Sequence, residues 1–196
     1  MQPDLAALVG SRICHDLISP IGAIGNGVEL LSLTNGSTAP EMALINDSVQ
    51  NANARIKLFR IAFGNAAEGQ RISSTEVQSI LTAISQGGRN QFHWDIQGDQ
   101  QRQCVRLALL VLLCFETALP MGGEVTITQQ GETWFFTAKA KRINFDPALW
   151  NSTGNAPNGH VHTAAQVQFA LLPTALAQAD RELTFAASDT GLTAQF

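Results

Sequence analysis

SRICHDLISPIGAIGNGVELL, residues 11–31, sets a histidine, an acid and a proline inside a stretch with helical periodicity. On a helix advancing about 100° per residue, Gly10, Ile13, Leu17, Ile21, Ile24, Val28 and Leu31 share one side. Extended both ways, the pattern predicts one helix over residues 3–34. TNGSTAP (34–40) follows as a turn, with Asn35-Gly36 ending one helix and Ser37 or Thr38 capping the next. A second helix is predicted over residues 40–66. There Met42, Ile45, Val49, Ala52, Ile56, Phe59 and Phe63 recur at alternating spacings of three and four, an a/d seam. Two such helices across a short loop form an antiparallel hairpin with more apolar seam than it can bury alone. A four-helix bundle made by two copies of the chain buries it; the alternative is that the rest of the chain covers the seam.

The rest of the composition narrows the class. The chain has 196 residues, 45% hydrophobic and 14% charged, which suits a folded protein of one large or two small domains. A net charge of −4 and a pI near 5.5 argue against nucleic acid or an anionic membrane as the main partner. No apolar run reaches the ~18 residues of a membrane span. The N-terminus lacks the basic start of a secretory signal. Cys14, Cys104 and Cys114 form no CxxC pair, which fits reduced thiols in a cytoplasm.

Beyond Asn65–Gly69 the pattern changes, dividing the chain into a hairpin domain (1–68) and a second domain (69–196). The predicted elements are a helix from Ser73 or Ser74 to Gly87-Gly88, a strand at 91–96 and a strongly apolar helix at 102–119. A hairpin of 123–128 with 133–140 follows, then an irregular loop over 144–160. A helix at 163–179, interrupted or bent near Pro173, and a final hairpin of 182–187 with 192–196 complete the order. The fold class is α+β: a helical hairpin followed by an α/β sandwich of helices over a largely antiparallel sheet.

His15 lies on the side of the first helix opposite the apolar face. Its neighbours at helical spacings are Leu8, Ser11, Arg12, Ser19, Gly22, Asn26 and Glu29. An exposed helical histidine is usually plain surface, but small neighbours leave room for another protein to reach the imidazole. Asp16 follows it. A carboxylate that accepts the Nδ1 proton leaves Nε2 with a free lone pair. Contact depends on rotamers, because adjacent helical residues diverge. Pro20 removes a backbone donor and frees the carbonyl of Asp16. With Gly22, Gly25 and Gly27 nearby, packing must hold this segment together.

CHDLISP (14–20) resembles the H-box of bacterial two-component histidine kinases: His, an acid, Leu, a base, Thr or Ser, Pro. Ile18 departs from the usual base. The longer run 11–31 is similar to ChpT-type histidine phosphotransferases, and the layout of the whole chain agrees. The resemblance implies a dimerising phosphotransfer hairpin followed by a domain like the kinase ATP-binding fold. It implies that His15 takes a phosphoryl group from an aspartyl phosphate on a receiver domain and passes it to another receiver. The receivers would belong to a hybrid histidine kinase and to response regulators. Asp16 would orient His15 or move its proton. Arg12 and Ser19, a turn away on either side, would contact phosphoryl oxygens, and Ser11, Gly22 and Asn26 would complete the docking face. The spacing Asp16-x-x-Ser19 also resembles the acid-x-x-Thr pattern linked to phosphatase activity.

Three nucleotide boxes of such kinases are missing. Cys114, Phe115, Glu116 and Thr117 stand where asparagines hold the magnesium of ATP. Lys139, Ala140, Lys141, Arg142 and Ile143 replace the Asp-x-Gly-x-Gly box, and HTAAQVQFALL (162–172) has no glycine. The expectation is a phosphotransferase without cofactor or ATP, Mg²⁺ being carried by the receiver. The competing reading is a non-catalytic dimeric adaptor that sequesters regulators. Other candidates are weaker. His160 and His162 have the spacing of a zinc pair but no visible third ligand. His93 suits a structural strand position, and Cys14 falls toward the buried side.

Overall fold

The computed structural model describes residues 4–33, 39–67, 69–86, 88–154 and 160–196. The turn predicted at 34–40 lies mostly outside them. Helix α1 spans Leu5–Leu33 and α2 spans Ala39–Ala62. Asp4 caps α1, its Oδ1 accepting from the amides of Ala6 and Ala7 at 3.1 Å. The two helices pack closely: a Cβ on Gly27 would fall 2.6 Å from Ile45 Cγ1. Glycine is the residue that permits this approach.

Each predicted seam splits into two rows seven residues apart. In α1, Leu17, Ile24 and Leu31 are partly buried, whereas Ile21 and Val28 are exposed; in α2, Ile45, Ala52 and Phe59 turn inward while Met42, Val49 and Ile56 stay exposed. Cys14 is also exposed, on the same outward row as Ile21 and Val28. The expectation that Cys14 is buried is therefore corrected for the single chain. The sequence period marks residues that face some partner, and it does not distinguish the neighbouring helix from a second molecule.

The C-terminal half of α2 buries Leu58, Phe59, Ile61 and Ala62 against the remainder of the chain. That remainder comprises β1 (Arg71–Ile72), α3 (Ser74–Gln86), β2 (Asn90–Asp95), β3 (Gln100–Gln101) and α4 (Arg102–Ala118). It continues with β4 (Gly123–Gln130), β5 (Thr133–Lys139), α5 (Pro147–Asn151), a 3₁₀ turn (Ala164–Gln166), α6 (Val167–Ala179), β6 (Thr184–Ala187) and β7 (Gly191–Gln195). Five strands form one sheet in the order β2-β4-β5-β7-β6, with β2 parallel to β4 and the other pairs antiparallel. Alternate residues face the core: Val125 and Ile127 of β4, Trp134, Phe136 and Ala138 of β5, Leu192 and Ala194 of β7. Helix α4 is buried for almost its full length, as its unbroken apolar sequence requires. Gly122, at φ +86°, turns the chain from α4 into β4 under the carbonyl of Arg89.

Two features differ from the sequence reading. β1 and β3 make a small separate antiparallel pair. The stretch predicted as an irregular loop contains α5, whose start is fixed by Asp146 accepting from the amides of Ala148 and Leu149, with Pro147 in the first turn. That short helix delivers Trp150 into the core, 5.7 Å from Phe115, 5.5 Å from Phe169 and 5.2 Å from Phe185 between ring centroids. Helix α6 runs on through Pro173, and the turn ahead of it carries a capping box of Thr163 and Gln166. Replacing Trp150 with Ala empties the meeting point of α4, α5, α6 and β6. The expected loss in urea unfolding is about 3–5 kcal/mol.

Candidate functional site

The site is built on α1, which packs against α2, the 3₁₀ turn and α6. His15 presents its ring to solvent, its side chain 81% exposed, while the Asp16 side chain is only 11% exposed. The rotamers bring them together: His15 Nδ1 lies 3.1 Å from Asp16 Oδ1. An ionised carboxylate only accepts, so this geometry suits a proton on Nδ1 and leaves the Nε2 lone pair on the side away from the acid.

The other oxygen of Asp16 is held from inside. Arg12 Nε donates to Oδ2 at 2.9 Å, and Arg55 Nη1 of α2 stands 3.6 Å from the same atom. Both guanidiniums reach further. Arg12 Nη1 donates to the carbonyl of Ala165 at 2.8 Å and to Gln168 Oε1 at 3.2 Å, and its Nη2 is 3.7 Å from Glu116 Oε2. Arg55 Nη2 donates to Glu116 Oε1 at 3.0 Å. Burial by itself would lower the Arg55 pKa. The charge and hydrogen bond of Glu116, with the charge of Asp16, outweigh it and raise the pKa, so the guanidinium is firmly cationic. Gln168, fully buried, donates to Thr117 Oγ1 at 2.8 Å.

Beside this cluster opens a cleft of about 620 Å³ between the two long helices and the rest of the chain. His15, Asp16, Ser19 and Pro20 form one wall, Asn51 and Arg55 the floor, and Arg89, Asn90 and Pro120 the far side. The Oδ1 atom of Asn90 is buried there without a hydrogen-bond partner.

Of the residues singled out from sequence, Ser11, Ser19, Gly22 and Asn26 lie exposed on α1 with His15, and nothing stands within 4 Å of a Cβ built on Gly22. Arg12 departs from its expected part as a phosphoryl contact. It is buried, and its donors are taken by Asp16, Ala165 and Gln168. The helical face that carries His15 curves into the domain contact at Arg12. The sequence reading missed Arg55, Glu116 and Gln168 as members of the site. Glu116 and Gln168 carried a signal, since each is a polar residue inside an otherwise apolar helix.

The remaining candidates lie elsewhere. The rings of His160 and His162 sit 4.9 Å apart, and His162 Nε2 is 3.0 Å from Ser152 Oγ. Burial, and then the neighbouring His160, lower the His162 pKa. Among the described residues no group of three metal-ligating side chains forms. His93 is an exposed strand residue 3.1 Å from Glu124 Oε1. No helix among the described residues is long and apolar enough to cross a membrane.

Residues 74–191 match the family of the histidine phosphotransferase C-terminal domain. The chain belongs to the ChpT-type histidine phosphotransferases. It is 37% identical over 161 residues to protein phosphotransferase ChpT of Brucella abortus (strain 2308), covering 79% of this chain and 77% of that one. It also superposes on a solved bacterial phosphotransferase with a TM-score of 0.79 at 33% identity, covering 98% of this chain and 95% of the other. Membership places the chain in phosphorelay signalling as a phosphotransferase and does not favour the sequestering adaptor.

The buried guanidinium of Arg12 joins α1 to the turn before α6. Arg12→Met removes those bonds and leaves Asp16 and Gln168 short of donors. The expected cost is about 3 kcal/mol in chemical denaturation. A cost below about 1 kcal/mol, the range of exposed pairs, would show that Arg12 does not fix the helix.

Proposed function

We propose that His15 carries the phosphoryl group between two receiver aspartates. The observation that supports this is the solvent-exposed imidazole whose Nδ1 is bonded to the buried Asp16 carboxylate. Nε2 attacks the phosphorus of an aspartyl phosphate. The N–P bond forms as the acyl phosphate P–O bond breaks, and the receiver's carboxylate leaves with the electron pair. Attack builds positive charge on the ring, and Asp16 stabilises it through the Nδ1 proton. The reverse sequence, on a second receiver, returns Nε2 to its starting state. Exposed Ser19 is close enough to share the cleft with the phosphoryl group, while Ser11, Gly22 and Asn26 extend the docking face along α1. The receiver supplies its own Mg²⁺.

The second domain works here without ATP. The positions where kinases carry magnesium-binding asparagines are occupied internally: Cys114 and Phe115 are fully buried, Glu116 is bonded to Arg55, and the Thr117 hydroxyl accepts from Gln168. Calorimetry with excess Mg²⁺ is expected to show no saturable binding of ATP. Micromolar affinity would overturn this part of the reading.

The active form is a cytoplasmic homodimer. The outward rows of Ile21 and Val28 on α1 and of Met42, Val49 and Ile56 on α2 leave an apolar stripe that a second hairpin covers as a four-helix bundle. Val49→Asp with Ile56→Asp is expected to give a folded monomer in ultracentrifugation, because both side chains are exposed in the single chain. Cys14 shares that stripe, so its thiol should react faster with a disulfide reagent in the variant than in the parent protein. A parent protein that is monomeric at micromolar concentration would exclude the bundle.

His15→Ala is expected to abolish acid-labile labelling from a phosphorylated receiver and to leave the fold intact. Asp16→Asn is expected to slow transfer by about 10²–10⁴-fold without eliminating it. Gly22→Arg should keep His15 chemically competent and weaken receiver docking, since its site is open. Labelling of His15→Ala at the parent rate would place the nucleophile elsewhere.

A further inference from the structure

Asp16 has to do more than lie next to His15. A surface aspartate exchanges rotamers freely, and only one orientation aims Oδ1 at the imidazole of the adjacent residue. Here the orientation is set by what grips Oδ2. Arg12 holds it from α1 itself, and Arg55 reaches it from α2. Arg55 in turn is fixed by a fork onto Glu116 of α4, at 3.0 and 3.5 Å. The sequence of contacts runs Glu116, Arg55, Asp16, His15, and it crosses from the second domain through both helices of the hairpin.

The charge count gives Glu116 a second effect. Arg12, Arg55, Asp16 and Glu116 make two cations and two anions. Glu116 is 3.7 Å from Arg12 Nη2 as well as bonded to Arg55. Remove it, and two guanidiniums converge on one half-buried carboxylate. They would draw both oxygens of Asp16 inward and neutralise the charge that His15 needs. With Glu116 present, the guanidiniums are shared and Oδ1 stays available to the ring.

We infer that Glu116 and Arg55 are positioning residues for phosphotransfer: through Asp16, helix α4 of the ATPase-like domain sets the tautomer of His15. This rests on the transfer reading above and gives that domain a part in it.

The test uses the full chain as ¹⁵N-labelled protein, with long-range ¹H–¹⁵N spectra recorded at a pH where the His15 ring is neutral. The parent protein is expected to show mainly the Nδ1–H tautomer. Glu116→Gln and Arg55→Gln should both shift the population toward Nε2–H. Arg55→Lys keeps the charge but loses the fork, and it should show the same shift should the harsher variants fail to fold. Adding Glu116→Gln to Asp16→Asn should change nothing further, because the effect travels through Asp16.

Single-turnover transfer from a phosphorylated receiver supplies a second readout. Glu116→Gln should slow the step at saturating receiver about ten- to hundredfold, with the half-saturating concentration changed by less than about twofold. Glu116→Asp should recover part of that loss. A parent-like tautomer in Glu116→Gln and Arg55→Lys would overturn the inference, as would rate losses that multiply in the Asp16→Asn background. Failure of the parent protein to accept phosphoryl would instead overturn the transfer reading, and the tautomer populations would still decide the inference.

Discussion

Two guanidiniums shared between two carboxylates hold this molecule in its working shape. Arg12 and Arg55 lie between Asp16 and Glu116, all four side chains largely withdrawn from solvent, so each charge is balanced by the others. The requirement is geometric as well as electrostatic. To satisfy it, α1 must cross the turn before α6, and α4 must present Glu116, partly buried near its C-terminal end, to Arg12 and Arg55. These polar groups match only in one arrangement, and Leu58, Phe59, Ile61 and Ala62 of α2 join the same core as the rest of the chain. Hydrophobic contact between α2 and α3 adds attraction with less directional preference.

The end of α4 is filled from within the chain. An apolar helix runs along a twisted sheet, and its end faces the hairpin. The side chains at that end are Glu116 and Thr117, and both are committed to partners within the chain. Gln168 bridges the same region from α6 and is fully buried. Hydrogen bonds within the chain thus join α2, α4 and α6 at this point.

Much of this was readable in the residues. The two long helices followed from apolar spacing, and the strands of the sheet from alternation around Gln130-Gly131 and Asp189-Thr190-Gly191. His15 on a small, polar face was visible from helical geometry alone. What was not visible has physical reasons. The direction of Arg12 depends on how α1 meets α6, a contact between residues far apart in sequence. Arg55 looks like any charged residue of a helix until Glu116 is placed opposite it. Helix α5 was overlooked although Asp146-Pro147 is a start signal, because five residues make too short a pattern to register as periodic. The seams were read correctly as apolar and incorrectly as single faces, since a repeat of three and four cannot say which row meets which neighbour. Cys14 went the same way.

The order of strands in the sheet bears on how the protein is made. β7 lies between β5 and β6, although it follows both in the chain. During synthesis β5 is complete well before its second neighbour exists, so one edge of that strand stands open while the rest of the domain emerges. Phe196 closes the gap: its backbone exchanges hydrogen bonds with Trp134, and its ring stacks on Trp134 and lies tilted against Phe136. The contacts between α1 and α2, by contrast, are local in sequence, and both helices leave the ribosome early. Their polar face nevertheless has nothing to join until α4 and α6 are in place. His15 therefore lies in a helix that emerges early, and it acquires its electrostatic setting only once α4 and α6 are in place.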